Sequence, residues 1–189
     1  MPIGASKNSW ITRKQDQYDP EAELGTPSAT QTAGVWTLGE ISAQDSVLAF
    51  DAIFPTTPSD GCLAEKGGTT FGLWLGLTDS GATFRVRSGA GGSVPNSGTA
   101  LIDITDFPQD GELHTVVVEL DVGLGVIMRV WIDGELKGTD SGTAGQPAGS
   151  GAGGFLTGVN TNVSGEPTAA WPGGTSEGEA RLYSNTLVP

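Results

Sequence analysis

Apolar and polar residues alternate along this chain in short runs. The clearest lies within residues 111–139, GELHTVVVELDVGLGVIMRVWIDGELKGT. Residues 114–120 and 126–132 carry the two-residue period of strands covered on one face. In the first, His114, Val116, Val118 and Leu120 share a side. In the second, Val126, Met128, Val130 and Ile132 point one way and Ile127, Arg129 and Trp131 the other. A glycine-containing corner joins the two runs. Asp133-Gly134 closes the second, because this dipeptide tolerates the positive φ of a tight turn. The pattern predicts an antiparallel pair at the core of a β-sandwich.

The same period recurs elsewhere. Residues 47–54 (VLAFDAIF) read as a strand ended by Pro55, and residues 62–65 as a short one. Residues 71–77 (FGLWLGL) alternate strictly, with Phe71, Leu73, Leu75 and Leu77 on one face and Gly72, Trp74 and Gly76 on the other. Residues 83–87 set Phe84 and Val86 against Thr83, Arg85 and Arg87, and 179–183 read as a closing strand. Residues 138–154 (GTDSGTAGQPAGSGAGG) lack an apolar anchor and predict a long loop. Residues 157–176 predict a second loop, interrupted by Trp171-Pro172. No long window repeats apolar residues at a 3.6-residue period, so a helical fold is not expected.

Residues 1–32 differ from the rest. Lys7, Arg13 and Lys14 are followed by Asp16, Asp19, Glu21 and Glu23, and Trp10-Ile11 is the strongest apolar anchor. This stretch predicts an arm that docks on a neighbouring subunit, with Trp10, Arg13 and Lys14 as its anchoring residues. The predicted division is an arm over 1–32 and one sandwich over 33–189.

Composition narrows the chemistry. At 189 residues one core suffices, burying roughly 70% of the unfolded surface. Thirty glycines and eleven prolines suit many shaped turns, and no three-residue repeat suggests collagen. The net charge of −13, from 22 acidic and 9 basic residues, opposes nucleic-acid binding, which needs a positive patch. It also disfavours anionic membranes, and no segment is long and apolar enough to insert in one. Cys62 is the single cysteine and His114 the single histidine, too few for a structural zinc site. Cys62 is expected as a small buried hydrophobe and His114 as a structural residue bonded to a loop. The first residues show no apolar signal-peptide core, which predicts synthesis and folding in a cytoplasm.

The chain resembles the concanavalin A-like lectin and glucanase superfamily, in its laminin G-like or pentraxin-like branch. The matching pieces are residues 50–54, CLAEKGG at 62–68, FGLWLGL at 71–77 and FRVRSG at 84–89. GELHTVVVEL at 111–120, VIMRVWIDGELKG at 126–138 and ARLYSNTL at 180–187 follow in order. In that branch a strand beginning near a Trp-His pair precedes one ending in Tyr-Val-Asp-Gly. The forms here are Leu113-His114 and Trp131-Ile132-Asp133-Gly134. The resemblance implies an all-β, two-sheet antiparallel jelly-roll sandwich over residues 33–189, with an irregular N-terminal arm.

It does not imply catalysis. The glucanase members set carboxylates along one strand as Glu-x-Asp-x-x-Glu, whereas Glu119 and Asp121 run into Gly123-Leu124-Gly125 with no second glutamate. Glu177 and Glu179 likewise lack a third partner. A glycosidase needs two carboxyl groups flanking a cleft, so a non-enzymatic protein is expected and a glycoside hydrolase is the less favoured reading. No cofactor is required. The resemblance does admit calcium, and Asp60, Asp79, Asp103, Asp106, Asp110 and Asp140 stand in loop-like contexts without the EF-hand spacing.

The outward faces carry the binding candidates: Trp74 between two glycines, Arg85 and Arg87 on one strand, and Arg129 beside Trp131 on another. An aromatic ring with polar neighbours stacks on a sugar or anchors an interface. Two readings follow. The first is a structural and recognition protein assembling on a larger particle, such as a phage virion surface or capsid-decoration component. It would be made in the host cytoplasm and joined to protein neighbours, itself as a homo-oligomer. The second is a carbohydrate-binding, lectin-like module, extracellular or at the cell surface if the chain belongs to a longer secreted one.

Overall fold

The computed structural model describes residues 25–38, 46–67, 72–89, 100–121, 126–142, 153–158 and 166–184. Within these, the strands in chain order are β1 (Ala29–Thr32), β2 (Gly34–Val35), β3 (Ser46–Ile53), β4 (Gly61–Gly67), β5 (Gly72–Thr78) and β6 (Thr83–Gly89). They continue with β7 (Ala100–Ile104), β8 (Leu113–Asp121), β9 (Val126–Ile132), β10 (Glu135–Gly142), β11 (Gly153–Phe155) and β12 (Glu179–Ser184). They form two six-stranded antiparallel sheets, ordered β1-β12-β3-β8-β9-β10 and β2-β11-β4-β5-β6-β7. The predicted two-sheet jelly-roll sandwich is the fold.

The faces follow the alternation. Leu48 and Phe50 of β3, Leu73, Leu75 and Leu77 of β5, and Phe84 and Val86 of β6 meet in one core. Val116, Val118 and Leu120 of β8 join them, with Met128, Val130 and Ile132 of β9. The β9–β10 corner turns at Asp133 and Gly134, whose φ angles are +50° and +80°. This is the primed geometry that matches the right-handed twist of a hairpin.

Three elements depart from expectation. The sequence predicts a loop over 138–154, yet residues 138–142 belong to β10, paired with β9 across a register shift between Leu136 and Gly138. Its one apolar residue, Leu136, packs against the Trp131 cluster, so the strand carries no apolar period. β7 buries Ala100, Ile102 and Ile104 and exposes Leu101 and Asp103, a legible alternation that was not singled out. Ala29–Thr32, on the arm side of the boundary drawn at residue 33, pairs with β12 as an edge strand.

The two lateral sides of the sandwich close differently. On one, β10 lies against β7, where the Asp140 carboxylate accepts the Leu101 backbone N–H at 2.7 Å. On the other, the chain crosses between sheets from β1 to β2 through Ala33. Of the expected loop over 157–176, residues 157–158 and 166–176 are described, and Trp171 pins the second stretch. Its Nε1–H donates to the Ile53 carbonyl at 2.7 Å, and its ring meets Phe54 and Phe84 edge-on.

Candidate functional site

The two sets of outward candidates lie on opposite sides of the molecule. Trp74, Arg85 and Arg87 belong to the outer face of the β4–β7 sheet, where antiparallel register sets Glu65, Trp74, Arg87 and Leu101 in one row. Gly76, Arg85 and Asp103 form the next row. Arg129 and Trp131 belong to the outer face of the other sheet, across the core.

Neither tryptophan is the exposed platform that the alternation suggested. Trp74 is 0% exposed and packs with Cys62. Its ring lies flat over Gly76, so close that a Cβ there would sit 2.9 Å from two ring carbons. Its Nε1–H donates to the Pro167 carbonyl at 3.3 Å. The segment from Glu166 to Trp171 passes over this sheet and seals the ring. Trp131 is 3% exposed among Val47, Ala49, Val117 and Tyr183. Arg129 beside it is ion-paired to Glu119 at 3.1 Å. Residues 10, 13 and 14, the predicted arm anchors Trp10, Arg13 and Lys14, lie outside the described residues.

The Arg85 and Arg87 pair does come together, around a residue no pattern flagged. Glu166 is buried over the sheet with Oε1 at 3.3 Å from Arg87 Nη1 and Oε2 at 3.6 Å from Arg85 Nη1. Arg85 also grips Asp103 with two near-parallel bonds, at 2.7 and 2.9 Å. Those bonds, offset in part by desolvation, hold its guanidinium protonated far above the ordinary range. The inner part of this array is closed. Its outer part reaches water: the side chains of Arg85 and Asp103 are 24% and 41% exposed, and Leu101 beside them is 42% exposed. A planar guanidinium–carboxylate pair of fixed geometry next to an aliphatic side chain can hydrogen-bond vicinal hydroxyls and cover an apolar C–H face.

Glu166 left no sequence signal, because it arrives from a loop 79 residues from Arg87 without periodicity. Asp103 and Leu101 did leave one in the alternation of ALIDI.

Nucleophilic chemistry finds no support among the described residues. Cys62 is buried; desolvation, with Glu65 and Glu166 nearby, pushes its thiol well above the usual range, away from the reactive thiolate. His114 lies on the other sheet, its two ring nitrogens 2.6 Å from Asp133 and 2.9 Å from Asp110. It is the structural histidine expected.

Several of the loop carboxylates have partners within the chain. Asp60 accepts the Gly81 N–H, Asp103 holds Arg85, Asp106 faces Lys137 and Asp110 holds His114. Asp140 caps the Leu101 and Ser141 N–H groups. Among the described residues no three of His, Cys, Asp and Glu converge as metal ligands. No helix among them is long and apolar enough to cross a membrane.

Solved structures place the architecture. The CBM40 domain of the Ruminococcus gnavus IT-sialidase, bound to α2,3-sialyllactose, superposes with a TM-score of 0.61. The match covers 86% of this chain and 95% of that one at 13% identity. The mouse laminin α1 chain, domains LG4-5, superposes with a TM-score of 0.56 over 98% of this chain at 13% identity. The fold is concanavalin A-like. That match spans 47% of the laminin chain's length, and the two-sheet sandwich that the resemblance implied is the fold. No family model and no curated protein sequence matches the chain.

Proposed function

We propose that this protein is a non-catalytic carbohydrate-binding module that reads its glycan at the Arg85–Asp103–Leu101 patch. The observation that carries the proposal is the solvent-reaching bidentate Arg85–Asp103 pair beside Leu101, backed by the closed Arg87–Glu166 contact. A prepaid geometry of this kind matters because ligand hydroxyls must compete with water for each bond. The CBM40 sandwich supports the reading, since that domain is bound to a glycan. Of the two recognition readings, assembly on a particle has no observation of fold or surface behind it, and the glycan reading has these.

The test is calorimetric titration with a glycan selected from an array, in the presence of calcium and of a chelator. Arg85→Ala is expected to weaken binding at least tenfold, about 1.4 kcal/mol. Arg85→Lys should behave similarly, because an ammonium keeps the charge but not the paired donors. Equal affinity in variants that melt cooperatively would overturn the assignment. Binding that survives the chelator is expected, and its loss would show that calcium is required.

A further inference from the structure

A second convergence of polar groups lies at the opposite edge of the β4–β7 sheet, where the chain crosses from β1 to β2. The crossing leaves an open cleft of about 550 Å³ lined by Thr30, Gln31, Thr32, Val35, Thr37 and Glu179. That volume falls within the range of small-molecule sites, roughly 300–1,000 Å³. Its floor is fixed by Gln31, whose buried carboxamide donates to the Thr32 and Val35 carbonyls at 3.3 Å each. The same group accepts the Thr37 backbone N–H at 2.7 Å. A side-chain amide held at both ends does not need to reorganise when a ligand arrives.

The lining chemistry selects the ligand class. Thr30, Thr32 and Thr37 are exposed lining residues whose hydroxyls can donate and accept, that of Thr37 reaching Gln31 Oε1 at 3.5 Å. Among the described residues the one charged lining group is the Glu179 carboxylate, 3.6 Å from the Arg181 guanidinium, and no Lys or Arg lines the cleft. On a chain of net charge −13 this disfavours an anion. Val35, 74% exposed, offers an apolar surface that suits the C–H face of a pyranose. A peptide adding as a further strand would find only four residues on β1 and two on β2, too few to hold one.

We propose that this cleft is a saccharide subsite for uncharged pyranose oligosaccharides, independent of the Arg85 patch. Titration of isotope-labelled protein with linear glucose, mannose and galactose oligosaccharides, followed by amide chemical shifts, tests it. At least one series is expected to shift the amides of Thr30, Thr32, Val35 and Thr37. Thr32→Trp, which fills the cleft from an exposed position, should weaken that binding tenfold or more. If this variant does not fold, Glu179→Gln should weaken it severalfold by removing the charged acceptor. The same shifts should persist in Arg85→Ala, so that failure of the patch and failure of the cleft are told apart. No shift at these amides with any series at about 10 mM sugar overturns the proposal. So do shifts undiminished by the cleft variants, or abolished by Arg85→Ala.

Discussion

His114 couples the end of the β8–β9 sheet to proton concentration. Partial burial pulls its pKa down, but hydrogen bonds to Asp110 and Asp133 outweigh this and raise it above the ordinary 6.5. The His114 bond in turn lowers the pKa of exposed Asp110 below 3.8. A histidine whose folded pKa exceeds its unfolded one contributes stability that is fully present below pH 6.5 and fades as pH rises through the higher folded value. The Asp110 contribution is present above pH 3.8 and fades as pH falls through its lower folded value. Chemical denaturation between pH 5 and pH 8.5, roughly the window in which a histidine titrates, is expected to show stability declining toward the alkaline side. His114→Gln should flatten that decline; an unchanged slope in the variant would remove His114 as its origin. This behaviour is one of stability and stands apart from glycan recognition, since the ring faces carboxylates and aromatic Phe54 at the far sheet.

Elements were legible where burial imposed a period and illegible where backbone pairing alone held the chain. β3, β5, β8 and β9 each place a row of apolar residues in the core, so a single sequence shows them. β10 carries one apolar residue, Leu136, and β1 and β2 are four and two residues long, too little for a period to show. Exposure was harder to read than strand placement. The Trp74 ring does lie over Gly76, yet a loop remote in sequence covers it, and no local pattern can announce that. The narrow fit of β11 beside β4 gives a test at this scale. A Cβ on Gly153 would run into the Glu65 carbonyl oxygen, a backbone atom that cannot swing aside. Gly153→Ala is expected to cost about 1–3 kcal/mol, measured by urea unfolding. A variant as stable as the parent would show that β11 does not pack as closely as described.

As a whole molecule, the protein is a sandwich whose two outer faces are largely sealed, one around Trp74, the other around Trp131. Among the described residues the two candidate sites lie at the rim: the Arg85–Asp103–Leu101 patch along one edge and the threonine-lined cleft at the other. This distribution explains why the candidate site was half visible in the sequence. The arginines stand on a readable strand, whereas Glu166, which orders them, comes from a loop with no period. Both open sites offer hydrogen-bonding groups in fixed geometry. The most direct measurement is to expose the full chain to a glycan array of acidic and uncharged members, elute what is retained, and weigh it by mass spectrometry. Retention of a defined set of glycans with their masses unchanged is the predicted result. No retention across the array, or recovery of shortened glycans, would contradict a non-catalytic carbohydrate-binding module.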